Sequence, residues 1–405
     1  MSLFLSLGLL LLAALGHGYL WTDAVNRLHA WSGPRWLIDA LTYLSFLAFL
    51  VLPVAVAMLW NDAVLIDTVL YDENMSLPPS RWALSYFYFC TAWGVYSLIV
   101  NNLRRFATDN PRALLDWQQE YLDIDEQLGI EVLRAGLPQL IAKIPGNQVL
   151  QLTVDRKRLA IPQLHPKHEG LKIAHLSDLH MIGSLGLRWF EVVAEQVNEL
   201  QPDVIAITGD IVEKEACWPW LASSLGILQA KYGVYFILGN HDFYIDTNHT
   251  KKLLVDQGLI CLSECWVETE WNGVAVILAG SERPWAPQAE DLPTVPSHNT
   301  EQLSTEQLST DTAQLRLMLM HTPDEYHWAC QQNAHLALAG HLHGGQLRFP
   351  LLGPIACPSR FGTRYACGVF RQEDTVLHVS RGISGKTPLR WNCPPEIAML
   401  ELVAV

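Results

Sequence analysis

Apolar residues follow two different patterns along this chain. Near the start they form three long, almost uninterrupted stretches: Ser2 to about Leu20, Trp36 to Trp60 (broken only by Asp39 and Pro53), and the aromatic-rich run from Trp82 to Val100. A helix needs about 20 apolar residues to cross the hydrocarbon core, so the pattern predicts three transmembrane helices within residues 1–106. Tryptophans at both ends of the second stretch and at the start of the third fit the interfacial belt of a bilayer. Asp39 lies near an end of its segment, where a carboxylate costs less than at the centre. The first stretch lacks the basic leader of a cleaved signal peptide, and further apolar segments follow it, so it reads as a retained helix.

Residues 107–148 read as an amphipathic connector. Leu114, Leu115, Trp117, Tyr121, Ile124, Leu128, Val132 and Leu133 recur at near-helical spacing, which predicts a helix between Pro111 and Leu140. From 149 to 405 the apolar runs shorten and are separated by Gly, Pro, Asn and Asp. Five of them have the length and composition of buried strands, and each leads directly into a polar residue. Leu171–Ser177 leads into Asp178 and His180. Asp203–Thr208 leads into Gly209 and Asp210. Val234–Leu238 leads into Gly239, Asn240, His241 and Asp242. Arg316–Met320 leads into His321, and His335–Ala339 into Gly340, His341 and His343.

In α/β sheets, ligands bind beyond the carboxyl ends of the strands. Five strand ends that deliver carboxylates, an amide and imidazoles to one edge make a candidate metal site. Those donors suit manganese, iron or zinc, and no cysteine joins the motifs. Two cations that share one carboxylate can clamp the oxygens of a phosphoryl displacement. The other histidines, His165, His168, His175, His249, His327, His335 and His378, read as ordinary satisfied polar residues.

Composition sharpens this picture. Half of the 405 residues are apolar and 17% are charged, with a mean hydropathy of +0.14, a balance that fits a membrane segment joined to a water-soluble domain. The net charge of -14 disfavours a nucleic-acid partner, which needs a basic surface. The eight cysteines form no CxxC pair and read as reduced thiols. Arg27 and Arg35 lie between the first two spans, and Arg104, Arg105 and Arg112 follow the third. Asp62, Asp67, Asp72 and Glu73 lie between the second and third, with Arg81 at the border. Arginine marks the cytoplasmic side, so the expectation is an outside N-terminus, a multi-pass inner-membrane protein and a catalytic domain facing the cytoplasm.

The ordered motifs Asp178-x-His180, Gly209-Asp210, Gly239-Asn240-His241-Asp242, a lone His321 and Gly340-His341-x-His343 resemble the calcineurin-like metallophosphoesterases over about residues 165–402. The resemblance implies a four-layer α/β/β/α sandwich behind the N-terminal transmembrane helices. It implies two divalent metal ions, manganese first, with iron, zinc or magnesium as alternatives. Asp178, His180 and His343 would hold one ion, Asn240, His321 and His341 the other, and Asp210 would bridge. His241 would act on the phosphate or the leaving oxygen, with Asp242 orienting it.

Protein Ser/Thr phosphatases continue their Gly-Asp motif with Asp-Arg-Gly and use Glu where this chain has Asp242, so that lineage is disfavoured. The strings Ser177–His180, His321–Asp324, Gly340–Gln346, Ser380–Ile383 and Arg390–Ile397 are similar to a membrane-anchored bacterial branch. That branch includes phosphodiesterases of the UDP-2,3-diacylglucosamine pyrophosphatase type, which serve lipid A synthesis. The implied activity is hydrolysis of a phosphodiester or pyrophosphate bond in a membrane-associated phosphorylated substrate. The alternative is a tethered phosphodiesterase for a soluble nucleotide. A non-catalytic binding protein is disfavoured because none of the seven ligands is missing. Arg381, beside Arg360 and Arg364, is a candidate phosphate clamp, because guanidinium binds phosphate bidentately. Residues 282–312, with prolines and the repeat at 300–309, read as an insertion between two strands.

Overall fold

The computed structural model describes residues 3–66, 79–106, 110, 112–124, 128–287, 314–350 and 352–405. Asp67, Asp72, Glu73 and all of the 282–312 insertion beyond residue 287 lie outside the described residues. Contacts divide the chain into two units: Met1–Phe106 with Pro350–Arg364, and Ala107–Phe349 with Tyr365–Val405.

In the first unit the three apolar stretches are helices: α1 (Leu3–His29), α2 (Arg35–Ile66) and α3 (Pro79–Phe106). Each contains a segment long and apolar enough to cross a membrane: Leu7–His29, Trp36–Ala55 and Trp82–Val100. None of the α2 segment is buried, and Tyr43, Leu47 and Leu50 face outward. Such a continuous apolar surface is costly in water and suits lipid. Helices α1 and α3 cross tightly at Gly16 and Gly94, where an added Cβ would strike the facing backbone of Cys90 or Leu12. Small residues at a crossing are how membrane helices approach closely. His17 ties all three helices together. Its Nε2–H donates to the Phe49 carbonyl (2.9 Å), and its Nδ1 accepts from the Tyr86 hydroxyl (2.6 Å). The 350–364 segment joins this unit through Asn26, whose Nδ2 donates to the Ile355 carbonyl (3.1 Å) and whose Oδ1 accepts from the Cys357 N–H (2.9 Å).

The second unit opens differently from the expectation. In place of a helix from 111 to 140, Leu114–Asp123 is a strand, β1, antiparallel to β2 (Gln151–Ile161). The near-helical spacing also contains a period of two, on which Trp117, Gln119 and Tyr121 share a face. Trp117 Nε1 and Gln119 Nε2 donate to the two oxygens of Asp155 on β2, which fixes that face. Val132 and Leu133 then enter the core, and a short helix, α4 (Leu137–Ala142), follows.

The expected strands form as β3 (Lys172–Leu176), β4 (Val204–Thr208), β5 (Val234–Ile237), β9 (Leu315–Met320) and β10 (Leu336–Ala339). With β6 (Ile260–Cys261) and β15 (Glu396–Ala404), the first sheet runs β1-β2-β15-β3-β4-β5-β6. The second contains β7 (Trp266–Trp271), β8 (Val274–Ser281), β13 (Gly368–Gln372) and β14 (Thr375–Val379), in the order β13-β14-β10-β9-β8-β7. Strands β3, β4 and β5 run parallel, as do β8, β9, β10 and β14.

Alternation sorts the central side chains. Ala174, Ile205, Ile207 and Phe236 pack with Trp189, Phe190 and Val193 of helix α5 (Leu187–Glu199). Ile173, Ala206 and Tyr235 pack instead with Leu278, Leu317 and Leu338 of the second sheet. Beyond that sheet, the Tyr326 hydroxyl of the helix at Tyr326–Gln331 donates to the Thr375 carbonyl (2.8 Å). Burial on both faces explains why these strands are almost wholly apolar. The layers are helix, sheet, sheet and helix. All eight cysteines are free.

His335 makes this unit acid-sensitive. Its Nδ1 accepts the backbone N–H of Arg316 (3.1 Å). Burial, then the Arg316 charge, pushes its pKa from 6.5 down to about 4. The folded pKa is depressed, so below about 6.5 the unfolded chain takes up a proton that the folded domain refuses until about 4. The contribution is present at pH 7 and lost as pH falls through that window. Urea midpoints of the full chain in detergent should therefore drop between pH 7 and pH 4.5, and His335→Asn, which keeps an acceptor but does not titrate, should flatten part of that slope. An unchanged slope would remove His335 from the account.

Candidate metal centre

The carboxyl ends of β3, β4, β5, β9 and β10 carry the seven sequence-derived ligand candidates. Backbone bonds continue past the strand ends and hold these turns in register. Asp178 N–H donates to Gly209 O (3.1 Å), and His180 N–H to Asp210 O (2.8 Å). In the other sheet, His321 N–H donates to Ser281 O (3.1 Å) and Gly340 N–H to His321 O (3.0 Å). The chain turns so sharply that Asp178, His180, Asp210, His341 and His343 all take left-handed φ, between 46° and 70°. Non-glycine residues rarely do so. At Gly340 a Cβ would run into the Ser177 side chain and the Asp178 carboxylate, so only glycine lets the two sheets close here. The His341 N–H donates to both oxygens of Asp178, at 3.0 Å each.

Two ligand clusters result, and Asp210 belongs to both. Asp178, His180, Asp210 and His343 form one; Asp210, His321 and His341 form the other, with donor atoms in each group within 4.8 Å of one another. His180 Nε2 and His343 Nε2 are 3.0 Å apart. His321 Nε2 lies 3.1 Å from His341 Nδ1 and 3.0 Å from Asn240 Oδ1. Asp210 directs Oδ1 toward His321 Nε2 (3.4 Å) and Oδ2 toward His180 Nε2 (3.5 Å).

The protonation pattern fits a cation in each cluster. His180 Nδ1–H faces Glu213, His343 Nδ1–H donates to Ser384 O (3.2 Å), and His321 Nδ1–H donates to Thr208 O (2.8 Å). Each Nε2 is then left with a lone pair, and these lone pairs converge on carboxylate or amide oxygens. Asp210 Oδ2 is buried and accepts no hydrogen bond. Lone pairs this close repel unless a positive ion stands between them, and imidazole with carboxylate is a donor set for a divalent transition metal. Burial tends to raise the Asp210 carboxyl, but the positive charge of protonated His321, His241 and His180 outweighs it and holds it well below the ordinary range, a charge that cations in the two clusters would supply in place of those protons.

Glu213 was not among the sequence-derived candidates. Its Oε1 accepts from His180 Nδ1, and its Oε2 lies 2.9 Å from His241 Nδ1. One carboxylate thus fixes a candidate metal-ligand imidazole and the candidate catalytic imidazole together. Burial raises its pKa, yet the hydrogen bonds from His180 and His241 bring it down to about 2. The available signal was an acidic residue three positions after Asp210.

Asp242 does not orient His241 as expected. It accepts backbone N–H bonds from Gly239 (2.7 Å), Ile211 (2.9 Å) and Val212 (2.8 Å), bracing the Asp210 and Asn240 turns. Burial and the Asp210 charge push it up to about 7. Arg381 is also reassigned. Its guanidinium is buried and bound to Asp155, Glu396, Thr153 Oγ1 and the Pro394 carbonyl, so its donors serve the framework rather than a phosphate. Arg360 and Arg364 fall in the 350–364 segment of the other unit. Trp285, also unanticipated, packs its ring 5.5 Å from His321 and 5.0 Å from His341 and walls one cluster.

The sequence model of the calcineurin-like phosphoesterase family matches residues 171–345, a span containing all five ligand-bearing strand ends. This segment is a calcineurin-like phosphoesterase domain. The calcineurin-like domain makes the chain a hydrolase of phosphoester bonds that depends on divalent metal ions. Among its relatives, the uncharacterised metallophosphoesterase YkuE of Bacillus subtilis is 28% identical over 58% of this chain and 79% of its own length. Phosphodiesterase YaeI of Escherichia coli is 29% identical over 57% of this chain and 82% of its own. A zebrafish (Danio rerio) transmembrane protein with a metallophosphoesterase domain is 29% identical over 55% of this chain and 51% of its own. With three membrane-length helices ahead of the calcineurin-like domain, this chain is a membrane protein.

Glu213→Gln should weaken metal binding about 10–100-fold, the usual cost of losing a ligand's outer hydrogen-bond partner. Turnover should fall as well, because a glutamine cannot accept from both imidazoles. Metal retained after dialysis, measured by elemental analysis, checks this. Full metal content would show that Glu213 does not hold His180.

Proposed function

We propose that the domain hydrolyses a phosphodiester or pyrophosphate bond in a membrane-associated substrate, with two divalent cations, manganese foremost, sharing Asp210. Asp178, His180 and His343 hold one cation; Asn240, His321 and His341 hold the other. The observation that carries this reading is the pair of lone-pair clusters joined by one carboxylate that directs an oxygen into each. When bound, such cations supply Lewis-acid stabilisation of the phosphoryl oxygens.

The chain's own residues complete the chemistry. With Nδ1 facing Glu213, His241 keeps Nε2 available to carry a proton to the leaving oxygen. The His241 N–H donates to Asp210 Oδ1 (2.8 Å), which couples the position of its ring to the shared carboxylate. Asp242 holds both turns rigid. Trp285 excludes water from one side. A lipid or nucleotide-lipid such as UDP-2,3-diacylglucosamine suits a domain carried by three membrane-length helices.

The test uses purified full-length protein with manganese, iron, zinc or magnesium. UDP-2,3-diacylglucosamine and model diesters should be cleaved in preference to phosphomonoesters. His241→Ala should keep its metal while turnover falls by about 10²–10⁴-fold, the usual contribution of a general acid. A diester with a very good leaving group should recover most of that loss. Preference for a soluble nucleotide diester would favour the tethered alternative, and loss of metal from the His241 variant would overturn its role.

We also propose that the domain faces the cytoplasm from the inner membrane, because Arg27, Arg35, Arg104, Arg105 and Arg112 all fall on one side of the three spans. A fluorescent reporter that matures only in the cytoplasm, fused after Val405, should be bright, and a phosphatase reporter that needs the periplasm should be inactive. The reverse pair of results would invert the topology.

A further inference from the structure

Helix α4 turns an apolar stripe away from the core. Leu137 and Leu140 are 67% and 66% exposed, and Ile144, just past the end of the helix, is 47% exposed. Leu137 and Leu140, three residues apart, share one side of the helix; Ile144 follows two residues past its end, while Ala142 packs inward. Trp391, 44% exposed, adjoins this stripe: a Cβ at Gly146 would lie 3.3 Å from its Nε1. Asn147 fastens the two segments together. It donates to Ile141 O (3.0 Å) and Pro388 O (2.9 Å) and accepts the Arg390 N–H (2.9 Å). The four apolar side chains therefore lie on adjoining segments fastened to each other.

Charge singles out the same two segments. In a chain of net charge -14, no carboxylate occurs from 132 to 154 or from 375 to 395, whereas Lys143 and Lys386 stand exposed there. The covalent path points the same way. Phe349, whose ring packs 5.8 Å from that of Trp391, is bonded to Pro350, the first residue of the segment that folds with the membrane helices.

We infer that this face, built on α4 and Trp391, docks onto an anionic bilayer surface, with the leucines and the tryptophan entering the interfacial layer and the lysines meeting headgroup phosphates. An exposed apolar stripe flanked by lysine and tryptophan has the chemistry of an interfacial helix. Three membrane-length helices in the same chain keep it beside a bilayer. Arg390 links the face to the metal centre, since its guanidinium donates to the His343 carbonyl (3.4 Å). Docking would hold the His343 turn at the membrane surface.

The test places a thiol-reactive, environment-sensitive fluorophore on full-length Leu140→Cys in nanodiscs of phosphatidylcholine and phosphatidylglycerol that contain doxyl-labelled lipid. Val255→Cys, at an exposed apolar position on another helix (49% against 66% for Leu140), is the control. Signal from the native thiols is subtracted using the unsubstituted chain. Hydrolysis of a soluble diester certifies folding, and Leu137→Cys replaces Leu140→Cys should the latter fail that check. The probe at 140 should lose most of its emission to doxyl lipid while the probe at 255 loses little. The loss should shrink in phosphatidylcholine alone, at high salt, or with Lys143→Glu and Lys386→Glu combined. Equal quenching at the two sites overturns the inference. So does a probe at 140 that is shielded from aqueous iodide yet untouched by doxyl lipid, because a protein partner or second copy would then cover the face.

Discussion

Like-charged and lone-pair-bearing groups do not gather unaided, and the architecture of the second unit is arranged around that difficulty. Five ligand candidates sit in left-handed backbone, a conformation that costs a non-glycine residue about 1–3 kcal/mol. Strain of that kind persists only where the surroundings over-determine it. Here the strand-end bonds from Asp178, His180, His321 and Gly340, the double acceptance of the His341 N–H by Asp178, and the three N–H bonds into Asp242 supply that determination. The parallel register of β3, β4 and β5 and of β9 and β10 then follows as a requirement, because a slip by one residue would turn each ligand to the opposite face.

A second group of buried charges braces the first. Lys157 donates to Glu396 (2.6 Å) and to His378 Nε2 (2.9 Å), while Arg381 pairs with Asp155 and Glu396, each at 3.0 Å. His378 Nδ1 meets His175 Nδ1 at 2.9 Å, and His175 Nε2 reaches Thr208 Oγ1 at 2.9 Å. The carbonyl of that same Thr208 holds His321. Burial, then the Lys157 charge, depresses His378 to about 4, so it serves here as a neutral spacer between cation and imidazole. Replacing such a network wholesale by apolar groups need not destabilise a protein, but removing one partner strands a buried charge at about 3–5 kcal/mol. Arg381 is therefore committed to β2 and β15, which sequence alone does not reveal: its carboxylate partners stand 226 positions earlier and 15 positions later in the chain.

What the sequence made legible followed from periodicity and adjacency. Each of the five buried strands was a short apolar run, and its ligand candidates stood within the next few residues, so strand and candidate were read together. The three long helices were equally plain, since nothing but lipid or an extensive core accommodates such runs. Failures arose where the deciding partner was distant. Leu114, Leu115, Trp117 and Tyr121 are compatible with either period, and only Asp155 on β2 chooses the strand. Glu213 and Asp242 are both acids near a ligand. Which of them faces His241 depends on how the turns after β4 and β5 fold against each other. Trp285 reaches the site from the end of β8, a strand with no motif of its own.

The 350–364 segment bears on how such a protein can be inherited. An anchor joined to an enzyme at one point can be exchanged by a single recombination event. Here the chain passes between the two units three times, after Phe106, Phe349 and Arg364. Asn26 recognises the segment through backbone atoms alone, the Ile355 carbonyl and the Cys357 N–H, groups that any residue at 355 supplies and any but proline at 357, whereas the amide at position 26 has no such substitute. An ancestor that borrowed a foreign set of helices would have left those two backbone groups without their amide partner. Anchor and enzyme should accordingly share one genealogy, with position 26 changing least among the polar residues of α1.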